Sequence, residues 1–400
     1  MRVKIAPSIA RGTVSAPPSK SMAHRALICG ALSCGSRIDH IAYSQDIEAT
    51  LRCLQAMGAV VKREEMAVTI GGLNPFVIPA DTVLDCGESG STLRFLLPLC
   101  LLSGVPVHLT GSKRLLERPL SVYETLCREQ DFTFVRNENS ISVCGTLSSG
   151  RYRVPGNVSS QFNSGLIWAL SLLDGDSEIE VIQPFESRSY VAMTRLTLSG
   201  FGVAVHEEQN RLFVSGNSRY RSCDYVVEGD CSNAAFLDAF NLLGGDVKVD
   251  GLSGESTQGD KVYKDFYRQL QMQQGEFDLS DCPDLGPVMF ALGAALGGAK
   301  FHGTARLRIK ESDRVACMVQ ELEKFGVTAT VGENAVEIHS GRLQTPTQML
   351  YGHNDHRIVM ALSLLCSQVG GTIEGAEAVA KSYPNYFDEI RSLGIEVSVE

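Results

Sequence analysis

The chain has no pair of cysteines at CxxC spacing and no His–Cys cluster, although it carries twelve cysteines. Zinc-ribbon and zinc-finger sites are excluded by that spacing, and no disulfide framework is indicated, which leaves buried, reduced thiols. Long apolar runs are also missing. The most apolar stretch, FLLPLCLLSGV at 95–105, falls far short of the roughly 20 residues that span a bilayer. The first residues, MRVKIAPSIARG, lack the apolar segment of a secretory signal. There is no block of like charge and no low-complexity tract, and the net charge of −10 argues against nucleic acid or an anionic membrane as partner. These absences predict a soluble, cytoplasmic protein. An anionic ligand would need basic residues gathered locally against an acidic background.

What is present is enough for two or three domains: 400 residues, of which 44% are hydrophobic. A pattern recurs along them. QDIEATLRCLQAMGAVVKREEMAVTIGG (45–72) reads as a helix, a glycine, then two strands joined by a charged turn. The pattern returns at 189–216 and 312–341, more weakly at 118–145 where the turn glycine is missing, and truncated at 386–400; 263–280 is a candidate sixth copy. Apolar residues fall at helical spacing before the glycine and alternate after it. A period of about 70 residues lets six copies fill the chain. More apolar helices open between the copies, at SKSMAHRAL, GESGSTLRF, SSQFNSGLIWAL, CSNAAFLDAF, CPDLGPVMFALGAAL and NDHRIVMALSLL. Their composition suits inner helices packed within a domain. The expectation is an α/β protein of six βαβαββ units.

The starts of these inner helices carry the chemistry. PPSKSMAHR brings Lys20, Ser21 and Arg25 to a helix mouth, where backbone N–H groups already favour anions and a cation is unfavourable unless something negative faces it. GESGSTLR places glycines before a helix, so backbone can approach a ligand closely. GNVSSQF offers Ser159, Ser160 and Gln161, CPDLGP offers Asp284, RLRIKESDR offers Lys310, Glu311 and Arg314, and HNDHR offers His356 and Arg357. Each alone reads as an ordinary helix cap or turn. Recurrence of ligand-type groups at one position of several units points instead to a pooled polyanion site. A P-loop is excluded, because PPSKS lacks the GxxxxGK[ST] glycines.

In these motifs the sequence resembles the enolpyruvyl transferase family over nearly its whole length. The matching segments are PPSKSMAHR (17–25), GESGSTLR (87–94), RP (118–119), SSQF (159–162), SRSY (187–190), EGDCSNAA (228–235), PD (283–284), IKESDR (309–314), NDHR (354–357) and AKSYPNYF (380–387). The first motif has Lys-Ser with Arg25, and GSKRLLERP has no cysteine. Both features favour the shikimate branch over the branch that acts on a UDP-linked amino sugar. The resemblance implies two domains of three units each, residues 1–18 with 229–400 and residues 19–228, with inner helix N-termini facing a cleft that closes on substrate.

The implied reaction transfers the enolpyruvyl group of phosphoenolpyruvate to the 5-hydroxyl of shikimate 3-phosphate, through a tetrahedral intermediate. By resemblance Lys20, Asp284 and Glu311 are catalytic. Shikimate 3-phosphate is met by Lys20, Ser21, Arg25, Ser159, Ser160, Gln161, Ser187, Asp284 and Lys310, with Tyr190 alongside. Phosphoenolpyruvate is met by Lys20, Gly90, Arg118, Gln161, Arg314, Arg357 and Lys381. Arg94 and His356 are supporting, and Cys231 is a packing residue. No metal or cofactor is called for, and a monomer acting on two small molecules is expected. Two departures stand out. Many relatives carry Asn where this chain has Glu88, which is expected to cap its helix or pair with a cation, and Arg306 replaces a substrate-contacting Asn. The competing class is a phosphate-sensing protein that kept the fold, and its mark would be loss of Asp284 or Glu311. Both are present.

Overall fold

The structure is a computed structural model that describes residues 1–272 and 275–400. It divides into two compact units: a split unit of Met1–Pro17 with Gly229–Glu400, and a continuous unit of Pro18–Glu228.

The repeat is complete at 82–144. Strand Thr82–Asp85 leads into inner helix Gly90–Cys100 and then strand Val107–Thr110, parallel to the first. The outer helix Ser121–Glu129 comes next, and the hairpin Thr133–Arg136 with Ser140–Cys144 returns antiparallel to close a four-stranded sheet. Inner helices are buried almost all round, as their composition requires; Gly286–Ala295 is buried from Gly286 through Ala294. Outer helices bury one stripe, such as Tyr263, Phe266, Tyr267 and Leu270 on Tyr263–Gln271. Among the described residues no helix is long and apolar enough to cross a membrane.

The turn glycine of the repeat has a backbone cause. Gly58, Gly202, Gly326 and Gly394 all take positive φ just after an outer helix, the conformation that ends a helix and suits glycine best. The copy at 118–145 keeps the same turn without glycine, by placing Asp131 at φ +55. Asp is among the few residues that tolerate this region.

Three units depart from the simple series; in one, strand Asp224–Val226 from the end of the continuous unit supplies the parallel partner of Ser36–Asp39. In the sheet that ends the chain, strand Arg2–Ile5 lies between Gly371–Glu374 and Val397–Val399, antiparallel to both, so the first residues supply the hairpin strand that the truncated copy lacks. The candidate copy at 263–280 provides an outer helix, but its next strand, Glu276–Asp278, pairs with Ala299–His302 of the following sheet. Its sheet has only Asp246–Asp250 beside Arg11–Ser15. Residues 273 and 274 of that copy lie outside the described residues.

Close contacts fix the inner helices of the continuous unit against one another. A Cβ on Gly165 would stand 2.4 Å from the Arg94 carbonyl and the Tyr123 hydroxyl, so glycine lets helices Gly90–Cys100 and Ser160–Ser171 touch. A polar chain links helix Lys20–Leu32 to the others. His24 Nδ1 is 2.7 Å from the Thr50 hydroxyl, which is 2.6 Å from the Thr92 hydroxyl, and Thr92 donates to Ser89 Oγ at 2.8 Å. Burial holds the His24 imidazole well below its ordinary pKa, with Lys20 and Arg25 adding to the effect. His24 is therefore a neutral strut.

Candidate active site

In the continuous unit, serine side chains cap all three inner helices. Ser19 accepts from the Met22 N–H at 3.4 Å, Ser89 from Thr92 at 3.2 Å and Ser159 from Gln161 at 3.3 Å. Neutral caps leave the positive helix ends without a built-in charge. Glu88 precedes the cap rather than making it, and interacts with a neighbouring group. The expectation that it either caps or pairs therefore loses its first half.

Cations gather at these helix ends. Arg118 follows the short helix Lys113–Glu117, and its guanidinium lies over Gly90, where an added Cβ would meet Nη1 at 2.5 Å. Arg118 is buried, its Nε has no hydrogen-bond partner among the described residues, and no carboxylate there pairs with it. A cation over a helix N-terminus is repulsive until an anion enters. Arg25 is buried as well. It donates through Nε to Thr194 Oγ1 at 2.8 Å, through Nη1 to the Ser21 carbonyl at 2.7 Å and through Nη2 to the Tyr190 carbonyl at 3.0 Å. None of these partners is charged, and burial lowers its pKa to about 10. Arg94 donates to Gln161 Oε1 at 2.7 Å while Gln161 donates to Ser91 Oγ at 2.9 Å, which fixes the Gln161 amide. Ser160 opens its helix buried, and buried Ser187 sits at φ +53 without capping its helix. A non-glycine residue in that region costs about 1 kcal/mol or more.

Lys20 behaves differently from expectation. Its Nζ is 2.9 Å from Asp46 Oδ2, so the charge at this helix mouth already has a partner within the chain. Sequence reading misses Asp46, because an acid in a first helical turn reads as an ordinary complement to the helix dipole.

The split unit holds a denser cluster built around Arg314, which is 1% exposed. Its Nε donates to Asp355 Oδ2 at 2.8 Å, Nη1 to Asp284 Oδ1 at 2.8 Å and Nη2 to Glu311 Oε2 at 2.9 Å. Lys310 Nζ reaches Asp284 Oδ1 at 3.2 Å and Arg357 Nη2 reaches Asp284 Oδ2 at 3.2 Å. Asp284 is not the helix cap that its position suggests, since its side chain caps nothing and holds three cations. Burial pushes its carboxyl up, but Arg357, Lys310 and Arg314 together hold it well below the ordinary range. Burial also lowers Lys310 to about 8, opposed by Asp284 and reinforced by Arg314 and Arg306.

Arg357 has the clearest unmet demand for a ligand. Its Nη2 also donates to Ser232 Oγ at 2.8 Å, but Nε and Nη1 are buried without a hydrogen-bond partner among the described residues. Buried polar atoms in that state need an explanation, and an anionic ligand supplies one. Lys381 is buried and donates to the Asn354 carbonyl. His356 is buried beside Asp355, whose carboxylate caps helix His356–Val369 through the Arg357 N–H at 3.0 Å. Cys231 opens helix Cys231–Leu242, buried, with its N–H donating to Gln258 Oε1 at 3.0 Å. Asp355 is the second residue that sequence reading passes over. The NDHR motif contains it, but its charge looks like a cap alone.

A profile of the family described as EPSP synthase (3-phosphoshikimate 1-carboxyvinyltransferase) matches residues 6–390. The chain is 39% identical to the 3-phosphoshikimate 1-carboxyvinyltransferase of Clostridium kluyveri, with 99% of this chain and 98% of that protein covered. It is 37% identical to that of Clostridium novyi, over 98% and 97% respectively. The fold is similar to that of EPSP synthase from Acinetobacter baumannii, at TM-score 0.79 and 23% identity over 100% of both chains. It is also similar to the enolpyruvyl transferase NikO from Streptomyces tendae, at TM-score 0.76 and 15% identity over 99% and 98%.

If Arg314 is the structural hub of its cluster, Arg314→Met strands three carboxylates and should lower stability by about 3–5 kcal/mol. Arg118→Met removes a buried cation with no carboxylate partner and should leave stability nearly unchanged. Denaturant unfolding of the two variants beside the parent checks this, and equal midpoints for Arg314→Met and parent would refute the hub.

Proposed function

The chain belongs to the EPSP synthase (3-phosphoshikimate 1-carboxyvinyltransferase) family, and from that premise we propose how its residues divide the family's reaction. That reaction transfers the enolpyruvyl group of phosphoenolpyruvate to the 5-hydroxyl of shikimate 3-phosphate and releases phosphate, by addition and then elimination.

We assign Ser159, Ser160, Ser187, Gln161 and Lys310 to the phosphate of shikimate 3-phosphate, and Ser21 with Arg25 to its carboxylate. Arg25 suits that role because it is a buried cation with no internal carboxylate. Arg118, the backbone at Gly90, Gln161, Arg357 and Lys381 are assigned to phosphoenolpyruvate. Arg314 contributes charge to the same ligand while chiefly orienting the acids. Lys20 serves both substrates once they compete with Asp46 for its ammonium.

The observation that carries the chemistry is the set of three cations on Asp284. They keep it ionised, as a base must be, but they also suppress its basicity. Substrate phosphates and carboxylates draw Arg357, Lys310 and Arg314 toward themselves, and Asp284 then gains affinity for the 5-hydroxyl proton. The freed oxygen attacks C2 of phosphoenolpyruvate. Three carboxylates and three cations balance in the free cluster, so anionic substrates favour uptake of a proton. Glu311 is the acid left to carry it, and it delivers that proton to C3. Elimination reverses the transfer at Glu311, and Lys20 stabilises the departing phosphate. The same reading makes the protein a cytoplasmic monomer; its twelve free cysteines suit a reducing compartment.

Phosphate release should require both shikimate 3-phosphate and phosphoenolpyruvate, and should persist in chelator. A UDP-linked amino sugar accepted in place of shikimate 3-phosphate would overturn the assignment. In the same assay, Asp284→Asn should lower kcat by roughly 10²–10⁴, the usual worth of a general base. Gly90→Ala, which displaces the Arg118 guanidinium, should mainly raise KM for phosphoenolpyruvate. A near-normal kcat in Asp284→Asn removes it from the chemistry.

A pH profile tests Lys310. Below about 8 the ammonium is present and helps to bind phosphate; as pH rises through about 8 the free protein loses that proton. Affinity for shikimate 3-phosphate, measured by calorimetry, should therefore be level below that point and fall above it. Lys310→Arg, which keeps its charge, should flatten the fall.

A further inference from the structure

Helices Lys20–Leu32 and Gln45–Ala56 of the continuous unit are joined by two rungs. Lys20 and His24 are four residues apart on the first helix, Asp46 and Thr50 four apart on the second, so each pair shares a face. Lys20 Nζ meets Asp46 Oδ2 at 2.9 Å, and His24 Nδ1 meets the Thr50 hydroxyl at 2.7 Å. Anionic substrates compete for the first rung. The second is buried, and the reaction gives it no part.

Proton counting fixes the direction of the second rung. Thr92 Oγ1 donates to Ser89 Oγ at 2.8 Å, and a hydroxyl has one proton to give. The 2.6 Å contact between Thr50 and Thr92 is therefore donated by Thr50. Thr50 then has no proton left for His24, so His24 Nδ1–H donates to Thr50. A proton on Nε2 instead fails twice. It leaves one of the two Thr50 contacts without a proton, and it buries an N–H where no hydrogen-bond partner stands among the described residues. Packing holds the ring in this orientation. It stands edge-on to Phe95, with centroids 6.3 Å apart, and Phe95 is itself wedged against Trp168 at 4.9 Å.

We propose that His24 and Thr50 are positioning residues for phosphoenolpyruvate: the run of donors from His24 Nδ1–H through Thr50 and Thr92 to Ser89 sets the opening of helix Gly90–Cys100. Ser89 Oγ accepts from Thr92 twice, from the backbone N–H at 3.2 Å and from the hydroxyl. The hydroxyl contact pins the cap in the orientation that serves the backbone contact. Gly90 follows the cap directly, and the Arg118 guanidinium lies so close over it that an added Cβ would meet Nη1 at 2.5 Å. A cap that turns away therefore displaces backbone and guanidinium together. Substrate that draws Lys20 from Asp46 leaves the His24 rung intact, so the chain to Ser89 persists when phosphoenolpyruvate arrives. The positioning role rests on the assignment of Gly90 and Arg118 to phosphoenolpyruvate, whereas the order of protons does not.

The first test needs no activity. Nitrogen NMR of the full-length protein carrying isotopically labelled histidine reads the ring at neutral pH, the His24 signals being those lost in His24→Asn. Nδ1 should be protonated and Nε2 bare. A proton on Nε2, or a charged ring, overturns the proposal, and this result is read on the parent whether or not any variant folds.

The second test is kinetic. Thr50→Val keeps the shape of the side chain and breaks both of its hydrogen bonds. It should raise KM for phosphoenolpyruvate by about fivefold or more, the scale set by one buried donor left unpaired, while affinity for shikimate 3-phosphate, measured by calorimetry, stays at the parent's. Thr50→Ser, which returns the hydroxyl, should restore KM. Equal weakening for both substrates is what a loosened fold produces, and it overturns the positioning role. Arg118→Met separates this inference from the assignment beneath it. KM raised in Arg118→Met but parent-like in Thr50→Val overturns the positioning alone; KM unchanged in Arg118→Met overturns the assignment and the positioning with it.

Discussion

The buried guanidinium of Arg314 is the interaction on which the split unit's cluster of acids and cations depends. It holds Asp284, Glu311 and Asp355 at once, with a separate nitrogen leading to each. Only a planar fork of donors can space three carboxylates in this way; an ammonium would be a point charge without fixed directions. Through Asp355 it also anchors the cap of helix His356–Val369, and with it the backbone that carries Arg357. The proposed base and the proposed acid are thereby set by one side chain, and their environments still differ. Asp284 has two further cations, so the pair can hold opposite protonation states, which acid–base chemistry at neutral pH requires.

The two units arrange their buried charge by different means. Serine caps in the continuous unit satisfy backbone donors and leave each helix end positive, and Arg118 and Arg25 add charge that no carboxylate offsets. The split unit caps with Asp230 and Asp355 and balances its cations internally. The first arrangement leaves buried positive charge without an internal carboxylate. The second balances its cations against carboxylates within the cluster.

The repeat was legible because inner and outer helices differ in composition and because a glycine follows four of the outer helices. Its irregularities were not. Asp131 could replace the turn glycine because Asp tolerates the left-handed region, which no periodicity reveals. The missing hairpin after Tyr263–Gln271 depends on which sheet claims Glu276–Asp278, a long-range choice. At the candidate site, residue types at helix starts singled out the motifs, whereas the pairings within each unit did not show. Asp46 is 26 residues from Lys20 and Asp355 is 41 from Arg314, and each resembled a simple cap or first-turn acid. Asp284 resembled a cap too, and only the folded chain places three cations on it.

The first strand of the chain has a bearing on biosynthesis. Val3 pairs with both Ile373 and Val399, so the strand's partners are made long after the strand itself. Pro18–Glu228 forms a complete body from one uninterrupted stretch and can fold while the ribosome is still translating the second half of the split unit. Strand Arg2–Ile5 cannot pair at that stage, whereas Arg11–Ser15 waits only for Asp246–Asp250. Arg2–Ile5 is therefore a strand edge held in waiting until Gly371–Glu374 and Val397–Val399 emerge. Arg2 and Lys4 alternate with Val3 and Ile5 along that strand, and charge at every second position discourages a nascent edge from pairing with a neighbouring chain.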